Sequence, residues 1–148
     1  LKIHPAIYAY ICMNGNALRS EYTGEKPNAD PRKWEMASKV LYKTGNPQVL
    51  RALVGEDITR EFVAFCNLQA ISLEDVLNDN YSEVEIQELN TAERYSTTVG
   101  LSQVTEENLG KVRRFVMKLG PEFGSIFDAI WTHGDEKRLE LIENIYGN

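Results

Sequence analysis

Residues Asp30 to Leu41 read Asp-Pro-Arg-Lys-Trp-Glu-Met-Ala-Ser-Lys-Val-Leu. Asp30 suits an N-cap and Pro31 the first helical position, because a short acceptor side chain satisfies an orphan N–H and proline has none to lose. Trp34, Ala37 and Leu41, beside Met36 and Val40, then give the helix an apolar face. Arg32 and Lys33 fall in its first turn, where the positive end of the macrodipole disfavours a cation by a few tenths of a kcal/mol to about 1 kcal/mol unless an anion joins it. Two readings follow: both side chains project into water, or Pro31, Arg32 and Lys33 border a phosphate site at the helix N-terminus.

The rest of the chain repeats the helical pattern. His4-Pro5 opens a helix with Ile7, Tyr8, Ile11 and Cys12 at helical spacing, closed by Asn14-Gly15. Residues 16–30 form a polar segment without periodicity, of a length that marks functional or disordered loops. The Asp30 helix ends at Lys43-Thr44-Gly45, Asn46-Pro47 starts a short helix that Gly55 stops, and Ile58, Phe62, Phe65 and Cys66 stripe the next.

Ser72 and Asp75 make a variant capping box, and Ser82 and Glu85 a regular one whose helix passes Ile86, Leu89 and Tyr95 towards Val99. Thr105 caps a helix with Leu109, Val112, Val116 and Leu119 on one seam. Gly120-Pro121 begins another with Phe123, Ile126, Phe127, Ile130 and Trp131. Gly134-Asp135 begins the last, through Leu139, Ile142, Ile145 and Tyr146. No strand or hairpin signal appears, so the expected fold is an all-α helical bundle.

Composition narrows the function classes. The 148 residues carry a net charge of −6, unevenly spread: residues 1–70 hold nine Lys/Arg and seven Asp/Glu, and residues 71–148 hold seven and fifteen. The acidic second half argues against duplex nucleic acid as a partner, because phosphate neutralisation supplies most non-specific affinity. No apolar run approaches the roughly 20 residues of a membrane span. Cys12 and Cys66 sit on apolar faces and read as free buried thiols of a reducing compartment. The chain opens at Leu1 close to a helix, which predicts a piece of a longer protein.

Catalytic signatures are missing from the sequence: no GxxxxGK[ST], GxGxxG, HExxH or CxxC occurs. His4 and His133 stand at helix boundaries as capping or surface residues. Asp75, Asn78 and Asp79 lack EF-hand spacing, so no metal site is expected. Lys111, Arg113, Arg114 and Lys118 form a basic stripe that faces solvent or pairs with carboxylates, Glu106 and Glu107 being near in sequence.

The order of these pieces from His4 to about Leu77 resembles the C-terminal lid subdomain of the AAA+ ATPases, in particular the MoxR group. The resemblance rests on the helix ending in Asn14-Gly15, the variable polar loop, the start Asp30-Pro31-Arg32-Lys33-Trp34-Glu35, then Gly55-Glu56 and Phe62-Val-Ala-Phe65. In that family a Ser-Pro-Arg-like tripeptide opens a lid helix and its arginine, sensor 2, reaches the nucleotide phosphates; here Asp30 replaces the serine and Arg32 inherits the role.

The resemblance implies a lid-like subdomain over residues 1–77 and an acidic helical extension over 78–148. It implies a parent ATPase that binds ATP and Mg on a preceding α/β domain, and a fragment inactive alone. It also implies neighbouring subunits in a ring, a protein client, a cytoplasmic location, and neither nucleic-acid nor membrane partners. A stand-alone helical interaction module with an acidic docking surface is the alternative.

Overall fold

The computed structural model describes residues 3–18, 29–133 and 135–147; most of the polar segment 16–30, and Gly134, lie outside them. Among the described residues the chain is all-α, with ten α-helices, three short 3₁₀ turns and no strand. None of these helices is long and apolar enough to cross a membrane. Two compact units make up the chain, Leu1–Leu68 and Gln69–Asn148.

The first unit contains α1 (Pro5–Met13), α2 (Pro31–Thr44), α3 (Arg51–Val54) and α4 (Glu56–Cys66), with 3₁₀ turns at Gly15–Leu18 and Pro47–Leu50. Local hydrogen bonds set the starts. The Asp30 carboxylate accepts from the Lys33 N–H at 2.8 Å, and the Asn46 side chain accepts from Gln48 N–H at 3.0 Å. Gly45 ends α2 in the left-handed conformation at φ 65°, and Gly55 turns the chain between α3 and α4 at φ 91° and ψ 162°, a region open to glycine.

Aromatic side chains fill the first core. Tyr10, Trp34 and Phe62 are all at most 2% exposed, with ring centroids 5.5–6.2 Å apart and tilted or edge-on. The Trp34 indole N–H is satisfied by the Ala17 carbonyl at 2.6 Å. α1 differs from the expected face: Ala6, Ile7, Ala9 and Tyr10 are buried, while Cys12 is exposed and Tyr8 and Ile11 are half-buried. Tyr10 packs against the Trp34, Phe62 and Phe65 rings, and Cys12, two residues on and so about 200° round the helix, faces outward.

The second unit contains α5 (Leu73–Leu77), α6 (Glu83–Glu88), α7 (Thr91–Leu101), α8 (Leu109–Leu119), α9 (Pro121–Thr132) and α10 (Glu136–Tyr146), with a 3₁₀ turn at Glu106–Asn108. Ile71, Val76, Ile86, Leu101, Val112, Phe115, Val116, Phe127 and Trp131 belong to one core cluster, with Leu73 and Leu77 packed on it. The division therefore falls nine residues before the expected 77/78 boundary, because the apolar side of α5 is covered by this cluster.

Three local expectations change here. The helix expected from Ser82 towards Val99 is two, since Asn90 and Glu93 form a capping box that stops α6 and restarts the chain as α7. Thr105 makes no side-chain cap, and α8 begins after the 3₁₀ turn. On α10 only Ile142 of the expected seam is buried, with Tyr146 half-buried and Leu139 and Ile145 47% and 56% exposed.

Candidate functional site

In the first turn of α2 an exposed cation and an anion-attracting helix end coincide. Its position is fixed from inside: Trp34, Ala37, Ser38 and Leu41 are buried, and the Ser38 hydroxyl accepts the backbone N–H of His4 at 2.7 Å. Trp34 thus anchors the helix one turn from its start, and the direction of Arg32 follows from that of Trp34. Pro31 and Arg32 are exposed and Lys33 is half-buried.

Among the described residues the Arg32 side chain makes no hydrogen bond or ion pair. The Asp30 carboxylate next to it is spent on capping the Lys33 N–H. Asp30 takes the Lys33 and Trp34 N–H groups and Pro31 has none. The Arg32 guanidinium, without a carboxylate partner among the described residues, and its own backbone N–H at the positive end of a 14-residue helix are therefore the donors left for an anion such as a phosphate.

His4 is the N-cap of α1. Its Nδ1 accepts the Ala6 N–H at 3.1 Å and its ring lies 4.8 Å from that of Tyr42. Burial holds its pKa below the usual 6.5. The Tyr10 hydroxyl donates to the Glu61 carboxylate at 2.9 Å, and burial followed by that hydrogen bond pushes the phenol above its usual range. Burial pushes the Cys66 thiol up to about 11, so its thiolate is scarce at neutral pH. His133 is exposed at the end of α9. No group of three or more His, Cys, Asp or Glu side chains able to hold a metal occurs among the described residues.

The basic stripe of α8 finds carboxylates other than the two expected. Arg113 pairs with Asp128 through two hydrogen bonds of 2.9 and 2.8 Å, and the Tyr146 ring lies 3.8 Å from its guanidinium carbon. The hydrogen bonding to Asp128 raises the arginine pKa further. Lys111 reaches Asp79 at 3.0 Å and Lys118 reaches Glu83 at 3.2 Å, while Glu106 and Glu107 remain exposed. Glu106 and Glu107 lie in the 3₁₀ turn ahead of α8, and tertiary packing brings Asp79, Glu83 and Asp128 alongside the stripe.

Arg94 was hidden in the sequence by its acidic surroundings. It donates to the Leu89, Ile86 and Leu119 carbonyls at 3.0, 2.9 and 2.7 Å, joining the C-terminal ends of α6 and α8. A lone cation in a run of carboxylates was the available signal. Its partners are backbone oxygens, which carry no sequence trace.

Surface hollows bordered by described residues occur in each unit. One of about 120 Å³ is lined by Gln48, Arg51, Glu56, Thr59, Arg60 and Val63, and a wider one of about 410 Å³ includes Glu106, Asp135, Arg138 and Glu140. Both mix cations with carboxylates, and neither aligns a nucleophile with a base. Compared with known protein families, with curated proteins and with solved structures, the chain finds no match.

Proposed function

We propose that this chain is the lid and C-terminal extension of a MoxR-like AAA+ ATPase, a cytoplasmic remodelling motor, in which Arg32 acts as the sensor 2 arginine. The observation that carries the reading is the exposed Arg32 guanidinium, unpaired among the described residues, at the start of a helix locked in place by Trp34. Arg32 would face the β- and γ-phosphates of ATP bound with Mg on the preceding α/β domain, with Pro31 and Lys33 flanking it. Its contribution is electrostatic, a charge held where phosphoryl transfer concentrates negative charge, and it links the lid's angle to the nucleotide. The chain by itself, with no phosphate-binding loop, hydrolyses nothing.

The test is made in the parent protein. Arg32→Ala lowers ATP turnover by about tenfold or more with helicity and melting unchanged, and Arg32→Lys recovers part of the loss. Wild-type turnover in Arg32→Ala removes Arg32 from the site. The coding sequence upstream of Leu1 supplies a second check, since the reading requires a GxxxxGK[ST] there.

A second reading, a stand-alone interaction module that docks a basic partner, draws on residues 69–148. Five of their seven cations (Arg94, Lys111, Arg113, Lys118 and Arg138) are engaged within that unit, which leaves unpaired carboxylates outermost.

A further inference from the structure

One residue, Gly120 at φ 145°, separates α8 from α9. The contacts of Met117 with Gly124 and of Arg113 with Asp128 show the two helices running back along each other. Gly124 is buried, and the Met117 sulfur fills the space in which a Cβ on residue 124 would stand, with the methionine Cγ and Cε 3.6 and 3.7 Å from that point. Met117 is nonetheless 42% exposed. The side chain that fills this notch in α9 therefore also borders water.

A thioether suits such a notch because it is apolar, unbranched and polarisable. Oxidation turns it into a polar, chiral sulfoxide with a strong acceptor oxygen. The α9 backbone has no donor to spare for that oxygen here: the Gly124 N–H is given to the Gly120 carbonyl at 3.4 Å, and the N–H groups that follow belong to the helix ladder. The oxygen is then satisfied by water alone, which draws the sulfur outward and leaves the Gly124 notch unfilled.

We propose that Met117 is a redox modification site of this protein, whose reagent is hydrogen peroxide and whose oxidation loosens α8 from α9. The sulfur lone pair attacks one peroxide oxygen and the O–O bond breaks. That oxygen stays on sulfur and its proton passes to the departing hydroxide, which leaves as water; sulfur gives up two electrons and the peroxide is reduced. A methionine sulfoxide reductase working with a dithiol reverses the step, the thiols leaving as a disulfide and the oxygen as water. Neither nucleotide nor Arg32 takes part, so the site stands or falls independently of the role proposed above.

The chain has three methionines, and Met36 on α2, 47% exposed, supplies the comparison. The protein is treated with hydrogen peroxide, its thiols are restored with dithiothreitol, which leaves sulfoxide in place, and peptide mass spectrometry locates the added oxygen. The expected result is that Met117 and Met36 oxidise at comparable rates and that amide exchange over α8 and α9 rises about tenfold, with no such rise over α4. Met117→Leu keeps α8 and α9 protected under peroxide, Met36→Leu does not, and the reductase reverses the rise. The proposal is overturned if Met117 stays reduced while Met36 oxidises, if Met117 sulfoxide leaves the exchange unchanged, or if Met117→Leu responds as the wild type does. Should leucine fail to hold the fold, partly oxidised wild-type protein decides the matter by a protease pulse in urea. Surviving folded molecules are then depleted in Met117 sulfoxide and not in Met36 sulfoxide, and equal survival overturns the proposal.

Discussion

At the scale of single residues, His4 ties helix capping to pH. Its neutral Nδ1 is the acceptor that caps α1, and burial depresses its pKa below 6.5. The folded state therefore resists a proton that the unfolded state takes, so the contribution is fully present above pH 6.5 and is lost as pH falls from there towards the lowered folded value. We expect wild-type stability to decline over that window by about 1 kcal/mol, the usual worth of an N-cap. His4→Asp, which keeps an acceptor that stays ionised there, removes this part of the decline. Urea titrations monitored by the tryptophans between about pH 7.5 and 5 check it, and an identical slope in His4→Asp would refute the assignment. The capping role was legible in His4-Pro5, because proline at N1 and an acceptor before it are local signs. That burial lowers the pKa was not legible, since it depends on Ser38 and Tyr42, more than 30 residues away.

At the scale of elements, Arg94 holds two helix ends together. The carbonyls it binds lie at the C-terminal ends of α6 and α8, which carry partial negative charge. Arg94→Met leaves them without that donor and is expected to cost about 3 kcal/mol in chemical denaturation. Arg94→Lys is expected to recover less than half of that, because one ammonium cannot span carbonyls on two helices as a guanidinium fork does. A loss below about 0.5 kcal/mol would show that water replaces the arginine at no cost.

The same region explains where periodicity misled. Ile86, Leu89 and Tyr95 continue a helical spacing across Asn90, yet the Asn90 side chain and Glu93 satisfy each other's backbone N–H groups at 2.8 and 3.0 Å. Local capping chemistry outweighs apolar spacing at this point, and the Asn-x-x-Glu pattern that announces it was present in the sequence. Elsewhere the same chemistry agreed with the spacing, as at Asp30-Pro31, Ser72 and Ser82.

At the scale of the molecule, the position of the boundary carries a prediction. Ile71 and Val76 are buried in the core of the second unit and Leu73 and Leu77 pack on it. A fragment of residues 69–148 is therefore expected to fold by itself, with helical circular dichroism and a cooperative melt. A fragment of residues 78–148 loses two fully buried aliphatic side chains, each worth about 1.5–3 kcal/mol, and with a typical domain stability of only 5–15 kcal/mol it melts at least about 10 °C lower or not cooperatively. Equal melting of the two fragments would return the boundary to 77/78.

What the sequence determined by itself was the all-α class, the starts of most helices, the inward Trp34 and the outward first turn that holds Arg32. Each depends on hydrogen bonds and apolar spacings within a few residues, which a linear pattern encodes. Tertiary structure alone decided that α5 joins the second core, that Arg113 pairs with Asp128 over Glu106 and Glu107, and that Cys12 and Leu139 face outward. Those outcomes depend on which distant helix packs alongside, and burial and ion pairing are settled only once the neighbours are in place.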